Sequence, residues 1–71
     1  MTPLATVLAE RSLSQGELAR QTGLARQTVW DAYHGRPCAL GSWVRIAKAL
    51  GVPLCRISPQ AAEELRGLIV A

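Results

Sequence analysis

The stretch from Ser14 to Gly35 constrains the fold most, because it writes two short helices almost without a gap. Ser14-Gln15-Gly16-Glu17 is a capping box, in which the serine hydroxyl takes the Glu17 amide and the Glu17 carboxylate reaches back to the serine amide. The helix it starts runs through Leu18, Ala19, Arg20 and Gln21 and stops at Gly23, a residue suited to a left-handed cap. A second helix begins near Ala25 or Arg26 and runs to His34 before Gly35 ends it. Helices joined by a turn this short, with a glycine in it, must cross steeply. Ala19 is small enough to let them approach, and Leu24 and Val29 supply the apolar plug between them. The second helix is then held out as a rod of the kind a DNA major groove admits.

Helix signals continue on both sides, and no run alternates as a strand would. The expected fold is all-α, a compact five-helix domain with helices near 3–11, 15–22, 26–34, 40–50 and 54–58, plus a short extra helix. Pro3 opens the first helix, with Leu4, Val7, Leu8 and Arg11 at helical spacing; Ser12 and Ser14 mark a stop and a restart. Leu40, Trp43, Val44, Ala47 and Leu50 make the apolar stripe of the fourth, ended by Gly51 with Pro53 beyond. A short turn or helix covers Leu54 to Ser58, and Pro59 opens the last segment. Residues 1–58 form one expected unit and residues 59–71 a C-terminal helix or tail.

Composition narrows the function. At 71 residues, 49% of them hydrophobic, the chain has the means for one small core. No apolar stretch reaches the length of a membrane span, and Glu10 and Arg11 cut short the apolar N-terminal stretch, which no basic leader precedes. The expected location is therefore cytoplasmic. Cys38 and Cys55 lack the spacing and companions of a metal site, so two reduced thiols and no metal are expected. One His, five carboxylates and no glycine-rich phosphate loop offer no catalytic constellation. Neither an enzyme nor a cofactor is expected. The net charge of +3 is compatible with nucleic acid and is weak evidence by itself.

SQGELARQTGLARQTVWDAYHG resembles the helix-turn-helix of the lambda-repressor-like (Cro/repressor, Xre-type) family of regulators. The likeness continues through LGSWVRIAKALGVPLCRIS, which is similar to that family's fourth helix, its Ala-Leu-Gly-Val stop and its short fifth helix. Gln15, Ala19, Gly23, Leu24, Val29 and Gly35 fall at the family's spacing, followed by Ala47, Leu50, Gly51 and Val52. The resemblance implies a DNA-binding regulator, a small Cro-like or antitoxin-like repressor acting on a palindromic operator of double-stranded DNA. It implies that Gln15 bonds a phosphate and braces the recognition helix, and that Arg26 and Gln27 reach base edges. Thr28 would donate to a phosphate, Asp31 matches another base-reading position, and Arg36 and Ser42 match backbone-contacting positions. Such proteins reach specificity by two-fold symmetry. A homodimer is expected.

A helical wheel places Arg26, Gln27, Trp30, Asp31 and His34 on one face, and Val29, Ala32 and Tyr33 on the other. Trp30 sits in the middle of the polar face. Its place there suits burial against a neighbouring helix or a dimer partner, contact with a thymine methyl or sugar, or a protein-binding anchor. Asp31 either accepts from cytosine N4 or is a solvated charge paired with Arg26 or Gln27. His34 either favours the helix C-terminus when protonated or touches DNA. Arg11, Arg20, Arg45, Lys48 and Arg56 read as solvated helix faces. In the tail, Leu65, Leu68 and Ile69 lie close to one stripe, which serves either dimerisation or packing on the chain's own core. A protein-interaction module that keeps the fold without reading DNA is the competing reading, favoured by Trp30 and Asp31.

Overall fold

Local stop and start signals cut the chain into helices that are too short to stand alone and become stable by packing. The computed structural model describes residues 2–70 and contains α1 (Pro3–Glu10), α2 (Gln15–Thr22), α3 (Arg26–Tyr33), α4 (Leu40–Leu50), α5 (Leu54–Ile57) and α6 (Pro59–Val70). Met1 and Ala71, at the two ends of the expected division, lie outside the described residues. No strand forms among the residues described.

Four of the helices end on a residue in the left-handed region: Ser12, Gly23, Gly35 and Gly51. After α1 the Leu13 amide bonds the Leu8 carbonyl at 3.0 Å and the Ser12 amide bonds the Ala9 carbonyl at 3.2 Å. That paired pattern is a Schellman stop, which normally calls for glycine at the position Ser12 fills with φ 53°. It folds Leu13 back onto the core. The first helix is therefore one residue shorter than expected, with Arg11 in its cap. The same pattern after α3, where the Arg36 amide bonds the Asp31 carbonyl at 2.8 Å, removes His34 from the helix. Gly23 closes α2 with a single bond to the Ala19 carbonyl at 2.9 Å.

The core gathers Leu4, Val7, Leu8, Leu18, Val29 and Ile46, all fully buried, with Ala19, Ala32, Trp43, Ala47, Leu50, Ile57 and Ala61 around them. In α4 the stripe differs from expectation: Ile46 is inside and Val44 is only half-buried. At about 100° per residue, Ile46 lies within about 60° of both Trp43 and Leu50 and so joins their buried arc, whereas Val44 lies about 100° or more from both.

The C-terminal segment is also a correction. There are six described helices rather than five and a short appendage, and the sixth, at twelve residues, is the longest. Ser58, expected to close the fifth helix, leaves it in extended conformation; its hydroxyl and carbonyl accept from the Ala61 and Ala62 amides and so cap α6. Ala61 seats the start of α6 in the core, while Leu65 is half-buried and Leu68 and Ile69 stand 68% and 75% exposed.

Candidate nucleic-acid interface

The capping box expected at Ser14 forms in full. The Glu17 amide donates to Ser14 Oγ at 3.1 Å and the Ser14 amide donates to Glu17 Oε1 at 3.3 Å. This fixes where α2 begins and so where Gln15, its first residue, projects. At the other end Thr22 Oγ1 donates to the Leu18 carbonyl at 2.8 Å, and Arg45 of α4 reaches the Thr22 carbonyl at 3.4 Å. Arg45, exposed as expected of a solvated charge, also sits on the negative end of α2 and ties it to α4.

Beyond Gly23 the turn is the expected Gly23-Leu24-Ala25, with Leu24 packed on the core. Ala25 gives α3 no side-chain cap, and no acidic residue stands in its first turn. The first turn of α3 therefore has neither a side-chain cap nor a carboxylate against its N–H groups, and its first residue is the basic Arg26, a combination that favours anions. Val29 and Ala32 bury the inner face and Tyr33 is half-buried, as the wheel expects.

The outer face is continuous across the two helices. Gln15 and Gly16 of α2 and Arg26, Gln27 and Trp30 of α3 line one open cleft. A Cβ built on Gly16 would lie 3.2 Å from Arg26 Nη2, so the guanidinium passes directly over the first turn of α2. Arg26 and Gln27 are exposed and Gln15 is half-buried. Thr28 and Ser42 are half-buried and do not line this cleft; the Thr28 carbonyl faces Cys38 Sγ at 3.7 Å. Asp31 and Arg36 do not line the cleft either, but each touches a residue that does, Gln27 and Trp30 respectively.

Trp30 is 39% exposed and is not buried against a neighbouring helix of its own chain. It rests instead on two polar neighbours. The His34 ring lies 4.2 Å from it between centroids, and the Arg36 guanidinium carbon is 4.8 Å from the indole centroid. A cation over an exposed indole is worth about 0.5–1 kcal/mol. Arg36 is held at this spot by the α3 stop, because Gly35 at φ 76° turns the chain back along the helix. Nothing in the spacing of Trp30 and Arg36 announces this pairing, since it depends on the path of the chain after the helix ends.

Asp31 is half-buried and accepts from Gln27 Nε2 at 3.1 Å, one turn back on the same helix. Here the spacing of four was a sufficient signal. Behind the face, Cys38 is raised above its ordinary pKa by burial and, secondarily, by the Asp31 carboxylate. Among the described residues no group of three or more His, Cys, Asp or Glu is placed to hold a metal ion, and no helix is long and apolar enough to cross a membrane.

A family model for the Cro/C1-type HTH DNA-binding domain matches residues 4–54. No curated protein and no solved structure matches the chain significantly. The match runs from α1 to the start of α5 and contains α2, the Gly23 turn and α3 entire, the elements that make the cleft. The chain therefore belongs to the Cro/C1-type helix-turn-helix DNA-binding family.

Proposed function

We propose that this domain is a sequence-specific regulator that lays α3 in the major groove of double-stranded DNA, and that it represses by occluding a promoter in the manner of a small Cro-like or antitoxin-like protein. The observation that carries the reading is the continuous outward face of Gln15, Arg26, Gln27 and Trp30 at the uncapped start of α3. Arg26 suits guanine O6 and N7, and Gln27 suits adenine N6 and N7, each pairing discriminating by about 1–3 kcal/mol. Gln15 and Arg36 take phosphates on either side of the groove, with Thr28 and Ser42 as further backbone donors. Trp30 offers its exposed edge to a thymine methyl or a sugar. One α3 covers only a few base pairs, so two copies act together on a palindrome, meeting through Leu65, Leu68 and Ile69 at the far end of α6.

A second reading has its own observation. Trp30 is exposed in the middle of the face with a carboxylate, Asp31, beside it, which suits a protein partner as an anchor.

Selection of bound duplexes from a random pool at about 0.15 M salt, a range where non-specific attraction is already weakened, separates the two. A DNA regulator enriches a palindrome with half-sites about 10 bp apart, and Arg26→Ala erases one base column from it. Binding without any enriched sequence, vanishing as salt rises, would move the function to the protein partner.

A further inference from the structure

The hydrogen bond between Gln27 and Asp31 restricts what Gln27 can read. A glutamine amide carries one acceptor oxygen and two N–H donors, and a free one turns to suit its partner. In the major groove its two donors can serve guanine O6 and N7, one donor can serve thymine O4, and the oxygen can serve cytosine N4. Oxygen and one donor together serve adenine N6 and N7. An unheld glutamine is therefore a permissive reader.

On α3 the amide is held. Nε2 faces Asp31 Oδ1 at 3.1 Å, and a carboxylate accepts only, so the nitrogen end must be the one turned toward it. One N–H is thereby committed. What remains is the oxygen and a single N–H, one acceptor and one donor, which matches adenine N6 and N7 and lacks the second donor that guanine O6 and N7 need. The Asp31 carboxylate adds to the contrast between the two purines, because it favours the adenine N6 amino group over the guanine O6 keto oxygen at the same place. It also repels phosphates, a cost to affinity for any DNA that a plain surface charge on this face would carry for no return.

Resting on the DNA-reading role of α3, we propose that Asp31 is a positioning residue that turns Gln27 into an adenine-specific reader and excludes guanine from that base pair. Asp31 itself need not touch a base.

The test compares the parent protein with Gln27→Ala, Asp31→Ala, Asp31→Asn and the double alanine variant, by random-duplex selection and by binding to single-base variants of the enriched duplex. Circular dichroism checks that each variant is helical. In the parent one column is adenine, and Gln27→Ala removes that column. Asp31→Ala relaxes the same column to either purine, with the adenine-over-guanine preference falling about tenfold, while affinity for random duplex rises. Asp31→Asn, whose amide oxygen can still accept from Gln27, retains part of the preference. The double variant selects no differently from Gln27→Ala alone. A column unchanged in Asp31→Ala overturns the proposal, as does a change confined to a different column, which would make Asp31 a reader of its own base. A parent protein that enriches no sequence overturns the DNA-reading function together with this inference, and that outcome is distinct from the other two.

Discussion

Arg36 owes its place to backbone geometry before its own side chain contributes. Gly35 turns left-handed, the Arg36 amide closes α3 on the Asp31 carbonyl, and the guanidinium then settles over Trp30. If it meets a phosphate there, Arg36→Ala weakens binding to every duplex alike, and the slope of log affinity against log salt falls by about one; loss confined to one sequence would mean that Arg36 reads a base. Cys38, two loop residues further on, is half-buried where Cys55 is exposed. Burial, with the Asp31 carboxylate helping, keeps the Cys38 thiol protonated to higher pH than in the unfolded chain. Its contribution to stability is therefore complete below the ordinary thiol pKa and is lost as pH rises through the raised value. At about pH 8.5, near the ordinary thiol pKa, iodoacetamide should label Cys55 well before Cys38 by mass spectrometry. Equal labelling would show that the loop does not shield the thiol.

Helix boundaries depend on a few residues each, and they differ in how openly the sequence declares them. The box at Ser14 and the stops at Gly23, Gly35 and Gly51 are local signals carried by residue types with one dominant use, and they lie where the sequence places them. Ser12 marks a stop in the sequence, but nothing there declares its left-handed conformation, since a serine rarely takes φ 53°; that conformation goes with the packing of Leu13 against the core. Ser12→Gly should accordingly raise the unfolding free energy, by up to about 1 kcal/mol in urea denaturation, as the left-handed penalty disappears. No gain would mean that the unfolded chain's extra freedom cancels the relief. Ser14→Ala should cost about 1 kcal/mol in the same measurement. Arg45 on the Thr22 carbonyl and Arg56 on Glu10 at 2.6 Å were illegible for another reason: each joins helices distant in sequence, and the charges look solvated until the chain is folded. The site followed the same division. The bond from Gln27 to Asp31 sits at helical spacing and is legible in the sequence; the stacking of Arg36 on Trp30 crosses a helix stop and is not.

The molecule measures 36 × 22 × 20 Å, and among the described residues the large apolar side chains left exposed are Trp30 and, near the end of α6, Leu68 and Ile69. If the end of α6 is where two copies meet, Leu68→Asp with Ile69→Asp should leave the helical spectrum unchanged. The same change should shift the protein to monomer in sedimentation equilibrium and reduce affinity for a full palindrome toward that for a half-site. A variant that pairs as well as the parent would place the contact elsewhere. The opposite end of the chain carries a practical consequence. The Thr2 hydroxyl accepts from the Ala5 amide at the start of α1 and donates to the Tyr33 carbonyl at the end of α3, and Thr2 shares a cavity wall with Arg36. Anything fused ahead of Thr2 thus begins beside Gly35 and the loop that carries Arg36, the residue proposed for the phosphate backbone. An affinity tag there would compete with the nucleic acid for the same space, and a fluorophore there would report on its arrival.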